Sequence, residues 1–254
     1  MRKAFSLLVA AAAWSTTALA EPTPEALHLY ASGNFIAAAN LAAAQHAPSD
    51  LTFVSHALLA ACATDQTPNV DSLLSRAATN ARSALQLDPN SVDARINLAL
   101  AYGMMGKRAS LSDAISHNYA GRGRQLINQA LALDPNNARA HALLGAWHFE
   151  VLRRGGRLGA ITYGARLSAG LSEFRRALAL APNDPLIALQ FATALLQRDP
   201  VGNARYARQV LGRIDGVSPH DALEFTALND ARRLRDAIDA GADATRRVVS
   251  EITI

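Results

Sequence analysis

Runs of alanine and leucine, each closed by a proline, punctuate the pattern of apolar and polar positions along this chain. Aligning the prolines Pro48, Pro89, Pro135 and Pro182 brings other positions into register. Five residues before the last three stand Ala84, Ala130 and Ala177, two before stand Leu87, Leu133 and Leu180, and one after stand Asn90, Asn136 and Asn183. Nine and ten residues after them come Leu98-Ala99, Leu144-Gly145 and Phe191-Ala192, then Tyr102, His148 and Leu195 three further on. A large residue followed by a small one lets two helices cross closely, the Leu and aromatic positions fill the seam, and proline stops the second helix of each pair. No alternating strand pattern with hairpin turns occurs, so the chain is all-α. Phe225, Leu228, Ala231, Leu234 and Ile238 form one apolar stripe over 221–240, which predicts a capping helix, and residues 241–254 read as a frayed tail.

The residues around these prolines, best seen in ALALDPNNARAHALLGAWH and FRRALALAPNDPLIALQFATAL, resemble the tetratricopeptide repeat. The resemblance covers roughly residues 24–213. It implies a right-handed helical-hairpin solenoid of about three and a half pairs, whose concave side, lined by the first helix of each pair, holds a peptide, a partner helix or a small ligand. The spacing departs from the family: 41, 46 and 47 residues separate the prolines, where the family repeats every ~34. The excess falls in 106–120 and 153–168, between the helices of two successive pairs and so at one end of the stack. Longer helices or a short extra helix would account for it. Ser110 with Asp113 forms an N-cap pattern and Leu111 shares a face with Ile115, so the first insertion is expected to begin its own helix. Elongated units in an exported chain also resemble in layout the periplasmic T component of tripartite substrate-binding transporters.

Export is expected from the amino terminus. Arg2 and Lys3 precede the apolar run Phe5 to Ala13, and Ala18-Leu19-Ala20 has the form of a cleavage site. The resulting division is a signal peptide at 1–20, a repeat domain at 21–240 and the tail, with a periplasmic or secreted product. The run is too short to span a bilayer, which needs ~20 apolar residues, so no stable membrane insertion is expected. Removing Arg2 and Lys3 leaves 23 basic residues against 21 acidic ones. The weak overall charge and lack of interleaved aromatics argue against nucleic acid. Charge is uneven, however: residues 89–180 hold 12 basic and 5 acidic side chains. Cys62, the single cysteine, lies in the apolar run HALLAACA and reads as a buried, inert thiol.

Catalytic motifs are absent: no HExxH, GxSxG, CxxC or P-loop pattern occurs, so no enzyme activity and no cofactor are expected. His141, His148 and Glu150 lack the spacing of a metal site. The candidate binding site is instead an apolar concave groove of Ile96, Leu100, Met104, Phe149, Leu186 and Leu189. Its expected rim is Lys107, Arg108, Tyr119, Arg153, Arg154, Arg157 and Tyr163 from the insertions. Arginine forks at such a rim suit a carboxylate or anionic head group. The expected function is a non-enzymatic interaction or assembly scaffold for a protein partner. The alternative is a ligand-binding component for an apolar or amphiphilic anion. For the groove itself, a second possibility is that the 221–240 helix folds back and fills it.

Overall fold

The computed structural model describes residues 22–64 and 69–252; the expected leader and its cleavage site lie outside the described residues. Among the described residues there are thirteen α-helices and no strand. A short hairpin of α1 (Pro24–Ala31) and α2 (Phe35–Ala42) leads into the hairpin of α3 (Pro48–Ala63) and α4 (Val70–Leu87). Next, α5 (Val92–Arg108) is followed by the six-residue α6 (Leu111–Ser116) and pairs with α7 (Tyr119–Leu133). Then α8 (Ala138–Tyr163) pairs with α9 (Leu167–Leu180), and α10 (Pro185–Arg198) with α11 (Ala204–Leu211). The chain closes with α12 (Ala222–Ala240) and α13 (Ala242–Glu251).

The recurring Leu-Asp-Pro-Asn sequence works as a two-sided joint. Asp88 and Asp134 leave the helical region at the ends of α4 and α7, and their carboxylates accept from the backbone N–H of Asn90 and Asn136 at 3.0 and 3.2 Å. Three residues past each aspartate, Ser91 and Asn137 cap the next helix by accepting from Ala94 N–H and Ala140 N–H. Asp184 does the same for α10. Each cap satisfies a donor that the helix itself leaves unpaired.

Successive first helices pack side by side in the row α3, α5, α8, α10, and each second helix packs against the following first helix. The large and small residues expected at the crossings, Leu98-Ala99, Leu144-Gly145 and Phe191-Ala192, are buried, as are Tyr102, His148 and Leu195. The α8–α9 crossing is the tightest. A Cβ on Gly145 would lie 2.7 Å from the Phe174 ring, and one on Gly170 would lie 2.9 Å from the Phe149 ring. Phe174 in turn stacks on Phe191, ring centroids 4.5 Å apart.

Three expectations change. Among the described residues five hairpins precede the C-terminal one, not three and a half pairs, because the short α1–α2 unit and the α10–α11 unit are both complete. Residues 242–251 are helical rather than frayed, since α13 buries Thr245 and Val249 and is followed by buried Ile252. Phe225 is 55% exposed and drops out of the α12 stripe, whose buried members are Ala227, Leu228, Ala231, Leu234 and Ala237. The stripe lies on α10, and the start of α12 reaches the first hairpin, where a Cβ on Gly33 would meet Ala222 at 3.0 Å. One helix thus links the last repeat to the first.

Candidate functional site

Both insertions fold into short helical pieces. After Ala109 leaves the helical region, the Ser110 hydroxyl caps α6 by accepting from Asp113 N–H at 3.1 Å, and Asn118, in a left-handed conformation, starts α7. In the second insertion, Gly156 takes φ 52° and ψ −138°, a combination closed to other residues. It bends α8 so that residues 157–163 form a distal segment, ended by left-handed Gly164. Together with α5, α7 and the body of α8, these two pieces wall a cavity of about 340 Å3. Leu100, Met104, Ile127, Trp147 and Val151 give it an apolar lining, and Leu111, Ile115 and Leu158 stand at its edge.

Arginines hold the walls in place. Arg154 donates to the carbonyls of Gly106 and Ala109, closing the exposed end of α5. Arg124 donates to Tyr163 O and lies over the Trp147 ring, 4.7 Å from its centroid. Trp147 Nε1 donates to Ala120 O at 2.8 Å, and Arg122 donates to the Tyr102 hydroxyl while its guanidinium covers that ring. Arg108 pairs with Asp71 at 2.6 Å, and Arg153 with Glu150 at 2.6 Å. Lys107 keeps an exposed side chain yet has protein on most sides, and the resulting desolvation lowers its pKa against the field of Glu150.

Of the residues proposed from sequence, the cavity gathers Leu100, Met104, Lys107, Tyr119, Arg154 and Tyr163. It does not gather the others. Ile96 is buried against Ala130 and Ala140, while Phe149, Leu189 and the partly buried Leu186 pack in the C-terminal core around Phe174. They face neighbouring helices because every first helix touches both its own partner and the next hairpin. Arg108 and Arg153 engage their carboxylates, and Arg157 follows the Gly156 bend as an exposed side chain. Sequence reasoning passed over Gly103, Gly123, Trp147 and Leu158 as cavity residues. The Leu111–Ile115 pair was the available signal, since an apolar face in an otherwise polar insertion has to meet something.

A second, polar cavity of about 360 Å3 lies along the inner row, lined by Thr52, Phe53 and His56 of α3, Asp93 and Asn97 of α5, and Arg139 of α8. Asn97 is buried and donates to Thr52 O at 3.0 Å, while its Oδ1 faces Arg139 at 3.5 Å. His56 Nε2 lies 2.8 Å from the Tyr30 hydroxyl. Burial is the main cause that pushes the His56 pKa down to about 3, helped by the positive field of Arg139. Burial likewise raises the Tyr30 pKa, so both members of the pair are neutral near pH 7.

The depressed imidazole pKa makes folding stability depend on pH. Above pH ~6.5 both folded and unfolded chains are neutral at His56; below it the unfolded chain binds a proton that the folded one refuses until pH falls to about 3. Stability is therefore lost progressively between pH 6.5 and 3. Allowing for the partial exposure of this side chain, wild type should lose about 1–2 kcal/mol more than His56→Gln between pH 7 and 4.5. Urea denaturation at the two pH values measures it; parallel losses in both proteins would refute the assignment.

Two further histidines, His141 and His148, also make defined hydrogen bonds. His141 bridges Glu173 at 2.6 Å and Pro135 O at 3.0 Å, whereas His148 Nδ1 accepts from Arg166 N–H at 3.2 Å. No group of three or more His, Cys, Asp or Glu among the described residues is placed to hold a metal ion.

The structure resembles the crystal structure of a thermophilic TPR protein from Thermus thermophilus, with a TM-score of 0.59 at 20% sequence identity, covering 83% of this chain and 97% of that one. This chain has the tetratricopeptide-like fold. The tetratricopeptide-like hairpins include the two that carry the insertions, so the cavity is an addition to a repeat scaffold. A family model described as regulator of microtubule dynamics protein 1-3 matches residues 40–156, which include both cavity-bearing first helices up to the Gly156 bend. No curated protein matches the sequence.

Proposed function

We propose that this protein is a non-enzymatic binding module of the periplasm, a tetratricopeptide-like interaction scaffold that holds the apolar part of its partner in the insertion cavity. The observation that carries this reading is the cavity itself: about 340 Å3, apolar on its floor and edged by exposed leucine and isoleucine. Sites that bind small molecules or anchor residues span ~300–1,000 Å3 and are mostly apolar with a few polar groups. On this reading the match to the microtubule-dynamics family reflects shared repeat architecture, because the proposed export would separate the chain from microtubules. The alternative, a component that captures an amphiphilic anion beside a transporter, uses the same cavity. Its expected arginine clamp is weakened by Arg154, Arg108 and Arg153 already being engaged with protein groups.

Trp147 lines the cavity and is the single tryptophan left if residues 1–20 are removed. Its fluorescence should therefore report occupancy directly. Titration with dodecanoate is expected to shift that emission in a saturable way. Gly103 also lines the cavity, and a Cβ there would meet nothing within 4 Å. Gly103→Leu should fill the space, weaken dodecanoate binding at least about tenfold, and raise stability by ~0.5–1 kcal/mol through the better helix former. Wild-type emission that stays unchanged, or equal binding by the variant, would remove the cavity as the site.

A further inference from the structure

The insertion end of the molecule exposes apolar surface that folding does not require. Nine large apolar side chains among the described residues are strongly exposed, and four of them, Leu111, Ile115, Leu158 and Ile161, belong to the two insertions. Leu158 and Ile161 are the most exposed of all, at 73% and 80%, and a spacing of three puts them on one helical face. Leu111 and Ile115 share a face of α6, which buries no residue at all. Leu111, Ile115 and Leu158 border the same cavity, so the two faces adjoin.

What covers this surface is indicated by its charge. Segments 103–124 and 150–168 carry eight lysines and arginines against two carboxylates. Of those two, Glu150 is paired with Arg153 and Asp113 accepts a hydrogen bond from the Ser110 hydroxyl at 2.6 Å. Asp71 of α4 adds a third carboxylate by pairing with Arg108, which still leaves an excess of five positive charges, so the end as a whole stays cationic. Exposed aliphatic tips backed by basic groups suit an interface where apolar chains lie beneath negative head groups. No helix among the described residues is long and apolar enough to cross a membrane.

We infer that the insertion end docks on an anionic lipid surface, with Leu158, Ile161, Leu111 and Ile115 entering the head-group boundary and the cavity open to an acyl chain. This rests on the cavity as binding site and names the chemistry of its partner. The basic excess supplies long-range attraction, and the four aliphatic side chains supply affinity by leaving water. Partial dipping of short helical segments is reversible, so binding should depend on lipid charge and on salt.

The test uses the full chain after leader removal and unilamellar vesicles of phosphatidylcholine with or without phosphatidylglycerol, read by co-sedimentation and by Trp147 emission. Binding is expected to the anionic vesicles and to be at least about tenfold weaker to phosphatidylcholine alone. Raising salt from about 0.1 to about 1 M should weaken it, as the screening length falls from ~10 to ~3 Å. Leu158→Asp with Ile161→Asp should lower binding at least tenfold while leaving the helical signal unchanged, because both side chains face solvent. Equal binding by this variant, or no binding of wild type to anionic vesicles, overturns the inference. If dodecanoate still binds in that case, the cavity reading stands alone. Patch-dependent self-association in sedimentation without vesicle binding would assign the surface to a second copy of the chain and equally overturn it.

Discussion

Gly145→Leu is expected to destabilise the folded protein by about 3 kcal/mol, at the upper end of overpacking costs. Even the first added carbon has no room: a Cβ would lie 2.7 and 2.9 Å from Phe174 ring atoms and 3.1 Å from Gly170 O. Neither neighbour can retreat cheaply. Phe174 is fully buried between Phe191, stacked at 4.5 Å, and Phe149, edge-on at 5.8 Å. Gly170 O belongs to the α9 backbone, so moving it displaces a helix. Gly145→Ala should cost ~1–2 kcal/mol by the same contact. Gly155→Ala makes a useful control, since a Cβ there meets nothing within 4 Å, and should be neutral or slightly stabilising. Urea denaturation gives all three values. A loss below ~0.5 kcal/mol for the leucine variant would mean that α8 and α9 do not cross at this glycine.

The larger effect should come from deleting residues 221–254, which removes α12 and α13. Leu228, Leu234, Val249 and Ile252 are all at least nine-tenths buried, and Ala227 and Ala231 sit with them on α10. At ~1.5–3 kcal/mol for each large side chain, their burial amounts to about 6–12 kcal/mol, an upper figure because the unfolded chain also buries some of this surface. Domains have net stabilities of ~5–15 kcal/mol, so the truncated chain is expected to lose its cooperative transition and expose dye-binding surface. Deletion also uncovers the first hairpin, where Ala222 meets Gly33. A truncated protein that still unfolds cooperatively within ~1 kcal/mol of wild type would show α12 to be an ornament. Leu234→Asp, at a fully buried position, is the point-mutation version and should act in the same direction.

Sequence alone determined the helical class, the joints and the crossings, because each depends on residues close together in the chain. The Leu-Asp-Pro-Asn joint needs only a carboxylate two residues before an amide and a cap three residues later, and the structure makes those bonds at Asp88, Asn90 and Ser91. The Ser110 cap of α6 is equally local. The Leu144-Gly145 pair could be placed because a small residue after a large one has one mechanical use at such a position. Where local preference was weak, the reading failed: nothing in 241–254 shows that Thr245, Val249 and Ile252 will find buried contacts on the preceding hairpins.

Only the tertiary structure decided which apolar side chains remain available and which arginines are already engaged. Ile96 and Leu100 lie one helical turn apart on α5, yet one is sealed in a seam and the other lines a cavity. That difference depends on how far α7 and α8 are held from α5. Arg154 reads as part of a basic rim when its partners are unknown, because those partners, Gly106 O and Ala109 O, are backbone carbonyls that any sequence possesses. Which carbonyls stay unsatisfied is settled by where helices end and what packs beside them. The Gly156 bend and the end of α5 are such places, and the cavity exists because both occur at the same end of the stack.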